Sequence, residues 1–120
     1  MTLSLLQKQQ IFAEASARLI VWIRQQGWAV TLGEGYDDDN KGHMKGSLHY
    51  VRLALDLNLF VGGTYEGDVY EGGHYIADGS HPAWRAIGAK WKSMRPEFAW
   101  GGDFASGDSN HISIKHDSKA

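Results

Sequence analysis

Three side chains of this sequence are of the kinds that hold a catalytic zinc ion. They are His49 and Asp56, within the stretch SLHYVRLALD, and His111, within DSNHIS. Catalytic zinc takes three protein ligands of this type and leaves its fourth position open to water. Asp108 stands three residues before His111, and a carboxylate beside a metal ligand is a candidate general base. The pattern therefore predicts a metal site and a reaction that could take place at it.

The spacing of these residues leaves a second interpretation open. His49 and Asp56 are seven positions apart, which is not the i, i+4 spacing of two ligands on one helix face, and His111 lies on a different element. The two histidines could instead be partly exposed side chains with ordinary hydrogen bonds. Asp56 is harder to explain in this way, because a carboxylate in the middle of a leucine-rich strand is costly to bury unless it is paired or binds a cation.

A strand predicted over 52–60 is the element that must position Asp56. Four leucines alternate along it with Ala54, Asp56, Asn58 and Phe60. Because successive side chains of a strand point to opposite faces, the leucines can face a core while Asp56 faces a cleft.

The remaining pattern predicts two helices and further short strands. Segments 36–46 and 61–80 are rich in glycine and polar residues, so the first is predicted to be a loop and the second a hairpin or loop. Apolar periodicity and β-branched or aromatic runs indicate helices over about 4–26 and 82–94, and strands over 28–32, 98–100 and 111–114. This order predicts an α+β fold, with a small antiparallel sheet and flanking helices.

Composition limits the class of protein. The 120 residues are expected to form a single domain over 1–120, in which about 115–120 make a frayed tail. A net charge of −2 argues against nucleic acid or an acidic membrane as a partner. Cysteine is absent, so any metal must be held by histidine, aspartate or glutamate. The sequence has neither a secretory signal nor an apolar run long enough for a membrane span, so we expect a soluble chain made in the cytosol.

Four stretches, in order, resemble a known enzyme family. They are TLGEGY (31–36), SLHYVRLALDLNLF (47–60), the PAW…IG..W helix (82–91) and WGGDF…DSNHIS (100–113). Together they resemble the zinc peptidases of the D-alanyl-D-alanine carboxypeptidase and L-alanyl-D-glutamate endopeptidase family, especially short bacteriophage endolysins and their prophage relatives. The resemblance implies a Hedgehog/D-Ala-D-Ala peptidase-like fold with zinc in a central cleft.

The resemblance also implies a role for each matching residue. His49, Asp56 and His111 match the zinc ligands of the family. Asp108 matches the acid that serves as general base, three residues before the last histidine. Ser47 matches a serine near the substrate.

The chain departs from the family pattern at two places. Many members have an arginine, able to hold a substrate carbonyl or carboxylate, directly after the tyrosine that matches Tyr36, whereas this chain has Asp37. Arg52 replaces a glycine between the first histidine and the aspartate. One hypothesis is that Arg52 or Lys45 supplies the missing charge and binds substrate. The alternative is that Arg52 is a surface residue at the edge of the strand.

These residues lead to an expected function. We expect a monomeric zinc peptidase that hydrolyses the peptide stems of bacterial peptidoglycan, with L-alanyl-D-glutamate endopeptidase activity, as an endolysin of a phage or prophage. It would be made in the host cytoplasm and act on the wall after release. The alternatives are a D-alanyl-D-alanine carboxypeptidase and a non-catalytic structural or wall-binding module that keeps the fold.

Overall fold

A computed structural model describes residues 2–33, 48–117 and 119–120 of the chain. It confirms the α+β class, with a small antiparallel sheet and two helices. In chain order the elements are α1 (Leu5–Gln25), β1 (Ala29–Leu32), a 3-10 turn (Leu48–Val51), β2 (Ala54–Val61), β3 (Thr64–Glu66), β4 (Val69–Glu71), β5 (His74–Tyr75), α2 (Pro82–Met94), β6 (Phe98–Trp100), a second 3-10 turn (Gly101–Asp103) and β7 (His111–Ile114).

Helix α1 begins and ends at signals that the sequence contains. The Ser4 hydroxyl accepts a hydrogen bond from the Gln7 amide at 3.1 Å, and the Gln7 side chain accepts one from the Ser4 amide at 2.9 Å. This reciprocal pair satisfies two amides that would otherwise lack partners at the helix start. Beyond the last turn, Gly27 has a φ of 84°, which a glycine adopts without strain. The predicted helix over 4–26 is therefore confirmed to within one residue at each end.

The sheet is built around β2. Its strands run in the order β1-β2-β7-β6, and β5 pairs with β2 beyond the end of β7. All of these pairings are antiparallel. Strands β3 and β4 form a separate hairpin, which contacts the turn between α1 and β1 through hydrogen bonds from Tyr70 to the Gly27 carbonyl (2.8 Å) and from Tyr65 to the Trp28 carbonyl (3.1 Å). The segment 61–80 is thus a hairpin followed by a short strand.

The two helices pack on one face of the sheet and enclose the core. Trp91 of α2 is fully buried, and its ring stacks on Phe98 with 4.0 Å between centroids. Its indole N–H donates to the carbonyls of Ala99 (3.0 Å) and Ser113 (3.1 Å). Trp91 therefore connects α2 to both β6 and β7 by hydrogen bonds, and β7 is the strand that carries His111.

Strand β2 differs from the sequence prediction at its start. It begins at Ala54, whereas the predicted strand began at Arg52, because Arg52 has a φ of 58° that interrupts an extended strand. From Leu57 onward the alternation is as expected, because Leu57 and Leu59 are buried. At the start of the strand it differs, since Ala54 is buried and Leu55 is only partly so.

After β7 the chain returns to the body of the protein. The Lys115 amide donates to the Glu97 carbonyl at 2.9 Å, and Lys8 of α1 contacts the His116 ring at 3.0 Å.

Within the described residues, neither helix is long and apolar enough to cross a membrane.

Candidate metal centre

Two of the predicted ligands are neighbours on adjacent strands of the sheet. Asp56 of β2 and His111 of β7 are direct partners in the antiparallel register, so their side chains lie on the same face. A hydrogen bond of 2.9 Å from the Leu57 amide to the Asn110 carbonyl holds this register at the start of β7.

The third predicted ligand comes from the turn before β2. His49 lies in the 3-10 turn Leu48–Val51, and Leu48 is buried and accepts a hydrogen bond from the Leu53 amide at 3.0 Å. Arg52, with its positive φ, closes this turn and redirects the chain into the strand. The short turn thereby brings His49 back beside Asp56.

The three ligand atoms lie close together in a largely buried position. Asp56 Oδ1 is 3.4 Å from His49 Nε2 and 3.3 Å from His111 Nδ1, and all three ligand atoms lie within 4.8 Å of one another. Both histidines are buried, while the Asp56 side chain is 19% exposed. The alternative that the two histidines are partly exposed is therefore wrong, although His111 does lie within hydrogen-bonding distance of Asp56.

The spacing of these atoms suits a shared cation. Ligands about 2.1 Å from a tetrahedral ion are about 3.4 Å apart. Both distances from Asp56 Oδ1 agree with this value, and the two histidine nitrogens lie within 4.8 Å of each other. The distance between His111 Nδ1 and Asp56 Oδ1 is also that of a long hydrogen bond. The three residues thus fit a metal ion, and a set of three protein ligands would leave a further coordination position for a solvent or substrate atom.

The electrostatics of Asp56 also suit this role. Burial raises the pKa of Asp56, but the hydrogen bonds and positive charge of His111 and His49 outweigh it and lower the pKa to about 2. The carboxylate is therefore ionised at neutral pH, as a metal ligand must be.

The predicted acid lies beside this cluster. Asp108 Oδ2 is 4.0 Å from His111 Nδ1, the same nitrogen that faces Asp56, and the Asp108 side chain is about half exposed. The backbone of this loop is fixed locally, because the Asp108 amide donates to the Gly101 carbonyl at 2.8 Å and the His111 amide donates to the Asp108 carbonyl at 3.1 Å. The structure therefore brings together all four residues of the expected site.

The loop that carries Asp108 is braced from two other elements. The Trp100 indole N–H donates to the Ser109 carbonyl at 2.7 Å, and the Ser109 hydroxyl donates to the Gly79 carbonyl at 2.6 Å. A cavity of about 320 Å³ borders this loop and includes Asp108 and Tyr75 in its lining. The acid thus lies at a space that a substrate can enter.

Two glycines have positional roles that the sequence patterns did not reveal. A Cβ atom at Gly101 would collide with the Asp108 carbonyl and lie 2.8 Å from His111 Cβ. A Cβ atom at Gly33 would lie 3.0 Å from the carbonyl oxygen of Asp56. Neither role could be predicted, because close approach of distant backbone segments leaves no local signal.

Of the residues predicted to bind substrate, Arg52 is the one that the structure describes. Arg52 is exposed and shapes the turn through its backbone conformation. Ser47 and Lys45, as well as Tyr36 and Asp37, lie outside the described residues. The charge that replaces the family arginine therefore stays a prediction.

One polar atom of the cluster is left without a partner. His111 Nε2 is buried and has no hydrogen-bond partner among the residues that the structure describes. The orientation of the ring is set on its other side by Asp56, and the ring centroids of His111 and Phe104 are 5.4 Å apart. The imidazole thus presents Nδ1 to the cluster.

No protein-family model and no curated protein matches this chain. The case for a metal centre therefore depends on the geometry of His49, Asp56 and His111.

Proposed function

We propose that this protein is a zinc-dependent peptidase that hydrolyses the peptide stems of bacterial peptidoglycan. The observation that carries the proposal is the meeting of His49, Asp56 and His111 within 4.8 Å, with Asp108 beside them. Two imidazoles and a carboxylate, without cysteine, form a donor set typical of catalytic zinc. His49 Nε2, Asp56 Oδ1 and His111 Nδ1 are the atoms that would hold the ion.

Each residue has a part in the proposed reaction. When bound, zinc would polarise the substrate carbonyl and make a water molecule more acidic. Asp108 accepts a proton from the water that attacks the carbonyl carbon of the peptide bond, and it then donates that proton to the leaving amine. Its half-exposed side chain can reach solvent and substrate, whereas the Asp56 side chain is only 19% exposed and contacts the two imidazoles.

The proposed substrate follows from the resemblance of the ordered sequence motifs. We assign the L-alanyl-D-glutamate bond, with the protein acting as a monomeric endolysin of a phage or prophage that meets the cell wall after release from the host cytoplasm. The D-alanyl-D-alanine bond is the alternative within the same family. A non-catalytic wall-binding module is a weaker alternative, because such a module has no use for an acid beside a metal cluster.

Digestion of purified peptidoglycan, with mass analysis of the fragments, tests the proposal directly. The zinc-loaded protein should release fragments whose new amino terminus is D-glutamate or D-isoglutamine. Release of free D-alanine would instead identify a carboxypeptidase, and intact stems would contradict the proposed function.

A pair of matched variants tests the role of Asp108 in the reaction. Asp108→Asn keeps the shape of the side chain and removes the proton acceptor, so lytic activity should fall by about 100-fold or more while zinc content is retained. Asp103→Asn is the control, because Asp103 is a similarly exposed acid of the same loop that pairs with Lys92 at 2.6 Å. Equal activity of the two variants would remove Asp108 from the mechanism.

A further inference from the structure

The face of β2 that carries Asp56 continues past the metal centre. Because strand side chains alternate, Asn58 and Phe60 lie on the same face as Asp56. Each has a cross-strand partner on that face: His111 opposite Asp56, Thr31 opposite Asn58, and Tyr75 opposite Phe60. Three side-chain pairs thus form a row that leads away from the metal ligands.

The last pair of this row is an aromatic surface. The ring centroids of Phe60 and Tyr75 are 5.7 Å apart, and Tyr75 is 56% exposed. Between this pair and the metal ligands, the Asn58 amide donates to the Thr31 hydroxyl at 3.2 Å, which leaves amide and hydroxyl groups at the surface of the row. We call the Phe60–Tyr75 pair the aromatic platform.

One cavity has both Tyr75 of the aromatic platform and the candidate general base Asp108 in its lining. The space of about 320 Å³ that borders Asp108 also has Tyr75 in its lining, together with Ser109 and Asn110. Its volume is at the lower end of the range for ligand pockets, roughly 300–1,000 Å³. A ligand in this cavity could therefore contact both Tyr75 and Asp108.

We propose that the aromatic platform binds the sugar ring to which the stem peptide is attached; this inference rests on the proposed function. The C–H faces of a pyranose ring pack on aromatic rings, while the edges of the sugar form hydrogen bonds with water and polar side chains. A half-exposed tyrosine such as Tyr75 has this amphipathic character.

The distance along the strand supports the assignment. Asp56 and Phe60 are four residues apart, or roughly 13 Å along a strand. In a substrate cleaved between L-alanine and D-glutamate, one residue and a lactyl group separate the reacting carbonyl from the sugar, which is roughly 7 Å to its near edge. In a substrate cleaved between two D-alanines, the same separation is roughly 17 Å. With the width of a sugar ring added, the platform fits the shorter separation and the endopeptidase reaction.

Calorimetric titration with two soluble probes tests the inference. N-acetylmuramoyl-L-alanyl-D-isoglutamine carries the sugar, and L-alanyl-D-isoglutamine lacks it. Zinc-loaded Asp108→Asn protein is the background, so that neither probe is cleaved. We expect the sugar-containing probe to bind about tenfold more tightly than the dipeptide. Equal affinity for the two probes would overturn the proposal.

Substitutions of Tyr75 test whether the preference for the sugar-containing probe arises at the aromatic platform. Tyr75→Ala in the same background should abolish the difference between the probes, and Tyr75→Phe should keep it, since the ring remains. Val69→Ala is the matched control, because Val69 is equally exposed but lies on the separate hairpin. A preference that survives in Tyr75→Ala, or an equal loss of affinity for both probes, would contradict a sugar subsite at Tyr75.

The result of the probe titration can be distinguished from the result of the peptidoglycan digestion that tests the proposed function. A sugar preference that depends on Tyr75, in a protein whose wild type leaves peptidoglycan intact, would support the subsite and refute the peptidase. Cleavage of stems by a protein without any sugar preference would support the peptidase and refute the subsite.

Discussion

The face of strand β2 that carries Asp56 has a different character at each end of the strand. At its first end, Asp56 pairs with His111 in a buried polar cluster, and at its second end, Phe60 pairs with an exposed Tyr75. Buried polar groups lower stability unless they are satisfied, whereas a surface aromatic pair stabilises a sheet modestly. The first end is therefore the part of the molecule that is hardest to explain by folding alone, and the second is suited to contact with a ligand.

The largest expected effect comes from removing the charge at the first end. Asp56→Asn keeps the size of the side chain but takes away the anionic ligand, so zinc affinity should fall by more than about 100-fold. Asn58→Ala is the control, because Asn58 is the next residue on the same strand face and should leave zinc binding unchanged. Competition with a chromogenic chelator measures both affinities. Equal affinities would show that Asp56 is not a ligand.

A backbone collision should perturb the first end although no ligand residue is substituted. Gly101→Ala places a methyl group against the Asp108 carbonyl and His111 Cβ, so unfolding free energy should drop by roughly 1–3 kcal/mol and lytic activity should fall with it. Chemical denaturation of the metal-free protein provides the measurement. Ser106→Ala, an exposed change in the same loop, should alter neither property. A fully stable and active Gly101→Ala protein would mean that the loop adapts freely.

Acid should weaken the first end of the metal-free protein by a predictable amount. The pKa of Asp56 is lowered from 3.8 to about 2, so its contribution is present above pH 3.8 and is lost as the pH falls toward 2. At about 1.4 kcal/mol for each pH unit, the loss is about 2 kcal/mol. Denaturation curves between pH 5 and pH 2 should therefore be steeper in pH for the wild type than for Asp56→Asn. Identical pH profiles would contradict the ion pairing of Asp56 with the histidines.

The smallest expected effect lies at the second end. Tyr75→Ala removes one member of an exposed cross-strand pair, so unfolding free energy should fall by only about 0.2–1 kcal/mol. Zinc content should be unchanged, because Tyr75 contributes no ligand atom. Thermal unfolding and metal analysis of the same sample check both statements. A loss of zinc in this variant would mean that the two ends of β2 are structurally coupled.

The sequence predicts local elements of this fold better than their assembly. Helix α2 has the predicted bounds because Pro82 fixes its start and Pro96 follows its end, and both signals are local. The start of β2 was misplaced because nothing in the sequence marks Arg52 as a residue with positive φ.

The same contrast applies to the candidate site. The alternation around Asp56 indicates that its carboxylate leaves the leucine face, but the register that sets it opposite His111 depends on a partner strand more than fifty positions away. The grouping of the four site residues was predicted from a resemblance to a family, since their spacing alone left it open. The close approach at Gly101 had no local signal at all.

Titration of the metal-free wild-type protein with zinc tests the central claim most directly. The account predicts that about one zinc ion binds per chain, and that binding is lost in His49→Ala, Asp56→Asn and His111→Ala alike, while each metal-free variant stays folded by circular dichroism. Absence of zinc binding by the folded wild type, or binding that survives in all three variants, would contradict a metal centre at these residues.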